Sequence, residues 1–264
     1  MMKTLQNKTI VITGASSGIG EKVALKVAKK GAQPILLARS EDKLKELTRK
    51  IKTESSVACI YFPLDVSDTD QVIEVFGKID EEVGDIDILL NNAGFGVFDA
   101  FNGARMEDIE RMFDVNVLGL MACTKQVLPG MLEKGTGHII NIGSQAGKLA
   151  TPKSSGYAAT KHAVLGFTNS LRMELAKTNI QVSAVNPGPI ETNFFSIADQ
   201  SGNYVQNVKK YMLQSEWVAD KIVQLMIVPK RELNLPRWMN IGSVLYTLFP
   251  SIADKLAGNL LNKK

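Results

Sequence analysis

Short apolar runs and longer amphipathic stretches take turns along most of this 264-residue chain. Residues 9–13, Thr-Ile-Val-Ile-Thr, read as a buried strand. Residues 18–30 put Val23, Val27 and Ala28 on one side of a helix, which Gly31 closes. Residues 34–38 are the next strand, and Ser40 caps a helix opening on Glu41 and Asp42, whose charges suit a helix N-terminus. Further strands are predicted at 57–64, 86–90, 138–142 and 182–185. Helices are predicted at 68–83, 106–132 and 155–177, the second of them interrupted near Pro129.

Strict alternation of apolar strands with amphipathic helices predicts a parallel sheet covered on both faces. Right-handed crossovers then give an α/β fold: one Rossmann-type, doubly wound domain over residues 1–264, with a mostly parallel sheet of about seven strands. The length suits such a domain, and no repeat or linker divides it. The alternation weakens after Asn186. Pro187-Gly188-Pro189 forces a turn. Residues 192–214 read as an irregular substrate loop carrying Phe194, Phe195, Tyr204, Tyr211 and Met212. Residues 215–226 read as a helix capped by Ser215. Residues 232–235 read as an edge strand stopped by Pro236, and 238–264 as an apolar C-terminal tail.

Hydrophobic residues make up 45% and charged residues 22% of the chain, the balance of a soluble globular protein. The net charge of +4 is spread along the sequence rather than gathered in one block, so no nucleic-acid partner is expected. Cys59 and Cys123 sit in apolar segments without a Cys-x-x-Cys pair and read as buried thiols in a reducing compartment, the cytoplasm. His138 and His162 lack ligand spacing, so no metal is expected. The N-terminus has no secretory apolar core, and no continuous apolar run approaches the ~18 residues of a membrane span.

The candidate chemistry begins at the first strand–helix turn, Thr13-Gly14-Ala15-Ser16-Ser17-Gly18-Ile19-Gly20. Glycines here admit positive φ and let backbone N–H groups approach a pyrophosphate at a helix N-terminus. The spacing is Gly-x-x-x-Gly-x-Gly, and a purely structural tight turn is the alternative. The second strand ends in Arg39 where NAD-binding folds place an acid. A guanidinium there can pair with a 2′-phosphate, so the expected cofactor is NADP(H). Asp65 either accepts from an adenine amino group or caps the turn at Ser67 and Asp68. Asn91-Asn92-Ala93-Gly94 ends the fourth strand with small and amide residues suited to a ribose.

Tyr157 and Lys161 stand four apart on one helix face, 13 residues beyond Ser144. A neighbouring ammonium favours the phenolate, so Tyr157 is expected to titrate below its ordinary ~10 and to exchange a proton with an alcohol or carbonyl. Ser144 would polarise the same oxygen.

Together these motifs, in this order and with Asn116 and Pro187-Gly188-Pro189-Ile190-Glu191-Thr192, resemble the short-chain dehydrogenase/reductase family over roughly residues 7–195. The resemblance implies that Tyr157 is the acid/base, that Lys161 lowers its pKa and binds the nicotinamide ribose, and that Ser144 orients the substrate. It implies that Asn116 holds a water in a proton relay. It also implies cofactor contacts at Gly14, Ser16, Ser17, Gly18, Ile19, Gly20, Arg39, Asp65, Val66, Asn92, Ala93, Gly94, Tyr157, Lys161, Pro187, Gly188, Ile190 and Thr192. Arg39 fits the family's NADP-preferring subset. The C-terminus departs from the family's usual tetramer-forming tail, so a homodimer is expected instead.

Phe95, Phe98, Phe194 and Phe195 follow strand ends where ligands bind in such sheets, which suggests an apolar carbonyl or alcohol substrate. The apolar tail is expected to pack within the protein; contact with a membrane surface is the less favoured alternative. The rival to an oxidoreductase is a nucleotide-sensing protein on the same fold that binds the cofactor without catalysis.

Overall fold

The computed structural model describes residues 4–199, 202–251 and 255. The parts of the expected loop and tail at 200–201, 252–254 and 256–264 lie outside the described residues.

Six strands follow the apolar runs: β1 (Thr9–Thr13), β2 (Gln33–Ala38), β3 (Ile60–Pro63), β4 (Ile88–Asn91), β5 (Gly137–Ile142) and β6 (Ile180–Pro187). A short pair, β7 (Ile190–Glu191) and β8 (Leu213–Gln214), stands apart, and β9 (Glu232–Leu235) completes the main sheet. The order is β3-β2-β1-β4-β5-β6-β9, with every pairing parallel. Successive side chains on a strand point to opposite faces, so each strand feeds two cores. Ile10, Ile12, Leu36, Leu90 and Ile140 pack under α1 (Gly18–Ala28), α2 (Glu41–Glu54) and, further along the chain, the helix Ser215–Ile227. Val11, Ile35, Leu37, Leu89 and Ile139 pack on the other side, under α3 (Thr69–Val83) and the helices between β4 and β6.

Asp68 caps α3 by accepting from the Gln71 N–H at 3.0 Å. The long helix after β4 is not broken at Pro129, contrary to expectation. Pro129 lies inside α5 (Leu120–Lys134), on its exposed side. The departure from α geometry comes earlier, in a π turn at Asp114–Gly119 that joins α4 (Met106–Phe113) to α5. A Cβ on Gly119 would lie within 2.9 Å of the Val66 carbonyl carbon, so this turn is pressed against the end of β3's connection. The whole span Met106–Lys134 is the one described helix long and apolar enough to cross a membrane by length and composition. Its Met112, Val117, Leu120, Cys123, Val127 and Met131 are instead buried in the core.

Residues 192–214 are more ordered than expected. They form α7 (Phe194–Ala198), α8 (Asn203–Val208) and a 3₁₀ turn, and β7 and β8 pair Ile190 with Leu213 and Glu191 with Gln214. The backbone N–H of Phe98 donates to the Ala198 carbonyl at 2.8 Å, tying this segment to the loop after β4. The helix α9 (Ser215–Ile227) starts at Ser215, with Gln214 rather than Ser215 at the cap position. Beyond β9, residues read as an apolar tail form the helix α10 (Arg237–Leu248).

Candidate active site

A cavity of about 750 Å³ runs along the carboxyl ends of the strands, across the crossing point between β1 and β4 where the winding reverses direction. Its walls include every predicted site residue except Gly20 and Asn116.

At one end, β1 turns into α1 with φ of +64° at Gly14 and +57° at Gly18. A Cβ on Gly14 would sit 2.8 Å from the Ala93 Cα, and one on Gly20 would run into the Gly14 carbonyl and the Asn92 amide. The turn is therefore closed on itself and admits only glycine at these points. Asn92 holds it: its Nδ2 donates to the carbonyls of Thr13 (3.0 Å) and Gly14 (3.1 Å), while the Thr13 hydroxyl accepts from the N–H groups of Asn92 and Ala93. The Asn92 amide thus faces the turn, where the sequence suggested a ribose. Ser16, Ser17, Gly18 and Ile19 line the cavity at the start of α1, whose first N–H groups have no intrahelical acceptor. A bare, narrow cradle at a helix N-terminus is the shape a pyrophosphate needs.

Arg39 leaves the end of β2 exposed, with Nη1 3.9 Å from the Asp65 carboxylate; Lys43 of α2 lines the same end. Asp65 accepts from the Ser67 N–H (3.1 Å) and hydroxyl (2.7 Å). Partial burial works to raise its pKa, but the Ser67 bonds and the Arg39 charge outweigh it and hold the carboxyl below its ordinary value. It both caps this turn and lines the cavity. Val66 follows it, buried in the wall.

In the middle of the cavity, α6 (Ser155–Glu174) presents Tyr157 and Lys161 on one face, both buried. Ser144 lines the wall beside Tyr157, and its Oγ accepts from the Ala146 N–H at 3.1 Å. The Lys161 ammonium lies 5.7 Å from the Tyr157 ring centroid and donates to the Ile142 carbonyl at 2.9 Å. Burial penalises both charged forms. It pushes the Tyr157 phenol up, with Ser144 opposing it only in part, and it brings Lys161 down to about 8. Burial of the phenol thus opposes the lowering expected from Lys161, whose ammonium is held by the Ile142 carbonyl.

Asn116 lies behind the wall, in the π turn. Its Oδ1 accepts from the Phe95 N–H (3.0 Å), and its Nδ2 donates to the Phe95 carbonyl (2.8 Å) and the Thr160 hydroxyl (3.1 Å). Thr160 in turn donates to the Tyr157 carbonyl at 2.7 Å. Asn116 therefore clamps the loop after β4 to the helix that carries Tyr157. A Cβ on Gly94 would touch both Asn116 Oδ1 (2.9 Å) and Lys161 Nζ (3.7 Å), so the backbone of this loop passes close to the buried ammonium. Pro187, Gly188, Ile190 and Thr192 form the wall opposite, after β6.

At the far end, the Phe98 ring sits 5.6 Å from Tyr157, 6.2 Å from both Phe194 and Phe195, and 5.0 Å from Tyr204, all edge-on. Sequence reasoning missed several wall residues. Gln145 is buried beside Ser144, donating to the Asn186 carbonyl at 2.8 Å. Its place directly after Ser144 was a signal that could have been read. Trp238 and Met239 reach the cavity from α10, about 80 residues downstream of Tyr157, and no local pattern marks them.

The sequence profile described as short chain dehydrogenase matches residues 8–201. The chain belongs to the short chain dehydrogenase family. An NADP-dependent 3-hydroxy acid dehydrogenase of Schizosaccharomyces pombe is 40% identical over 195 residues, 73% of this chain and 75% of that protein. An uncharacterized oxidoreductase of Staphylococcus saprophyticus is 40% identical over 191 residues, 72% of this chain and 82% of that one. Among solved structures, an alcohol dehydrogenase from the archaeon Thermococcus sibiricus complexed with 5-hydroxy-NADP is 29% identical, with a TM-score of 0.79 over 87% of this chain and 96% of that one. The seven-stranded parallel sheet found here is that family's fold.

Proposed function

We propose that the chain is a cytoplasmic NADP(H)-dependent oxidoreductase that interconverts a carbonyl and an alcohol on a neutral, apolar substrate. The observation that carries this reading is the meeting of Ser144, Tyr157 and a buried Lys161 in the wall of a cavity whose other end is a glycine cradle. Gly14, Ser16, Ser17, Gly18 and Ile19 would hold the pyrophosphate, and Arg39 with Lys43 the 2′-phosphate. Asp65, Val66, Ala93 and Gly94 would bound the adenosine side, and Lys161, Pro187, Gly188, Ile190 and Thr192 the nicotinamide side. Gly20 would shape the cradle from behind, and Asn92 would shape it from within the wall. Two members of the family named above, with NADP or a derivative in their descriptions, support the cofactor assignment. Buried free thiols at Cys59 and Cys123 support a reducing compartment.

When bound, the dinucleotide supplies or accepts hydride at the carbonyl carbon. Ser144 donates to the substrate oxygen and holds it beside the Tyr157 hydroxyl. A phenol kept protonated by burial is a proton donor to that oxygen in the reduction direction. The Lys161 ammonium, fixed by the Ile142 carbonyl, stabilises the phenolate left behind. Asn116 and Thr160 fix the helix turn on which Tyr157 rides.

The cations lining the cavity are Arg39 and Lys43 at the cradle end and Lys161 at the centre. The end formed by Phe98, Phe194, Phe195, Tyr204 and Tyr211 has none among its described lining residues, so a substrate carboxylate would be buried there without a partner. This favours a neutral carbonyl over a hydroxy acid. The test is NADPH oxidation across a panel of apolar, sugar and keto-acid substrates, with Tyr157→Phe as control. Turnover of apolar carbonyls, lost in the variant while nucleotide binding persists, is expected. Turnover of sugars or keto acids alone would refute the substrate class. Nucleotide binding without turnover of any carbonyl would leave the sensor reading in its place.

A further inference from the structure

The helix α10 is turned the wrong way round for a soluble protein. Its apolar stripe, Trp238, Ile241, Val244, Leu245 and Leu248 with Phe249 beyond, repeats at three- and four-residue intervals along one face, and that face is exposed. Trp238 is 59% exposed, Ile241 65% and Leu248 63%. The opposite face is the one that packs. Ser243 is buried, and Met239 fills the space beside Gly188, its sulfur 2.9 Å from where a Cβ would be. The packing within the protein expected of the tail is therefore made by the face opposite the stripe, through Met239 and Ser243.

This stripe is continuous with the mouth of the cavity. Trp238 and Met239, in the first turn of α10, line the cavity together with Val208 and Tyr211, and Tyr211 is itself 63% exposed. The charges around the mouth are mostly positive. Residues 200–215 carry Lys209 and Lys210 and no acid, and residues 233–253 carry Arg237 and no acid. All three cations are exposed and form no ion pair among the described residues. The carboxylates of the flanking elements have partners of their own: Glu191 accepts from the Gln214 amide at 2.6 Å, Asp199 is buried and accepts from the Val205 N–H at 2.9 Å, Glu216 pairs with Lys22 and Lys26, and Glu232 with Lys148.

An exposed apolar stripe, Trp and Tyr at its margin and unpaired cations beside them are the features of a surface that lies in a lipid–water interface. We infer that α10 and the 3₁₀ turn around Tyr211 rest on an anionic lipid surface, with the cavity mouth opening into it, so that an apolar carbonyl enters from the lipid phase. The charge complementarity selects lipid over a second copy of this chain, whose same face would bring like charges together. The inference rests on the catalytic reading for its substrate but not for its surface.

The experiment is flotation of the full chain with vesicles of phosphatidylcholine, with and without an equal share of phosphatidylglycerol. Binding to the anionic vesicles is expected, weakening as salt rises from about 0.05 to about 0.5 M. Replacing the outward side chains, Ile241→Ser with Leu245→Ser and Leu248→Ser, should weaken binding at least ~tenfold. The same triple variant should turn over a water-soluble carbonyl normally, because none of the three lines the cavity. A second variant, Lys209→Gln with Lys210→Gln, should lose ~fivefold per lysine on anionic vesicles. Turnover of a long-chain aldehyde carried in anionic vesicles should fall with binding. The inference is overturned if the native chain fails to float with anionic vesicles, or if both variants bind as it does. It is also overturned if light scattering shows a dimer that the triple variant converts to a monomer without vesicle binding. Flotation needs no turnover, so failure of the catalytic reading would show separately as inactivity toward soluble carbonyls.

Discussion

Arg39 offers the sharpest test of cofactor choice. It stands at the exposed end of β2, and its nearest charged neighbour, Asp65, is a weak partner at 3.9 Å. A 2′-phosphate there would gain a charge-assisted hydrogen bond, worth about 1.5 kcal/mol at the lower end appropriate to an exposed site. Arg39→Ser should therefore weaken NADPH about 13-fold and leave NADH nearly unchanged. Arg39→Asp adds repulsion. A carboxylate about 4 Å from a phosphate of charge near −1.5 to −2 costs about 1 kcal/mol per unit charge in a water-like dielectric. The sum is about 3 kcal/mol, a shift of roughly 150-fold in the NADPH-to-NADH ratio of kcat/KM. Because both terms are electrostatic and exposed, the gap should narrow in high salt. The assay is steady-state kinetics with each cofactor at low and high salt. A change in the ratio below threefold for Arg39→Asp would refute the placement of the 2′-phosphate and leave Arg39 an ordinary surface residue.

Other outcomes follow from the same geometry. Lys161, brought down to about 8 by burial, carries its charge below that pH, so carbonyl reduction should decline above pH 8 with a one-proton slope; a flat profile to pH 10 would count against its role. His138 is buried, and burial takes its pKa to about 3, far below the ~6.5 of an unfolded chain. The unfolded state therefore binds the proton first, and stability present above pH 6.5 is lost as pH falls, by about 2 kcal/mol at pH 5; urea melts at pH 7.5 and 5 measure this, and the loss should shrink in His138→Gln. Gly20→Ala puts a methyl against the Gly14 carbonyl and should cost about 1–3 kcal/mol, seen as weaker NADPH binding or a lower Tm. Gly166→Ala, on α6 with open space at its Cβ position, serves as the harmless control.

The layered sheet was legible because its strands are continuous apolar runs, and the cradle because positive φ calls for glycine in a recognisable place. The Tyr157–Lys161 pair was legible because helical spacing is local, and Ser144 because it follows an apolar strand. What escaped depended on contacts distant in sequence. Asn116 takes its meaning from Phe95, 21 residues earlier, and the π turn that carries it leaves no period of its own. Pro129 looked like a break because sequence does not say that it faces water. The upward push of burial on the Tyr157 phenol escaped because a neighbouring charge is visible in sequence and the depth of burial is not. α10 was read correctly as apolar, but which of its faces would turn inward depended on Gly188 and β9, neither of them near in the pattern.

The π turn between α4 and α5 also sets how this chain tolerates length changes. It holds one residue more than an α turn would, and that surplus lets Asn116 reach the loop while Cys123, Val127 and Met131 still meet the sheet. Deleting a single residue between 114 and 119 would let the turn close into ordinary α geometry, leaving those three side chains on the sheet but drawing Asn116 away from the Phe95 backbone it clamps. Homologous grafts or loop-shortening schemes should accordingly keep the residue count here intact, even where they replace every exposed side chain.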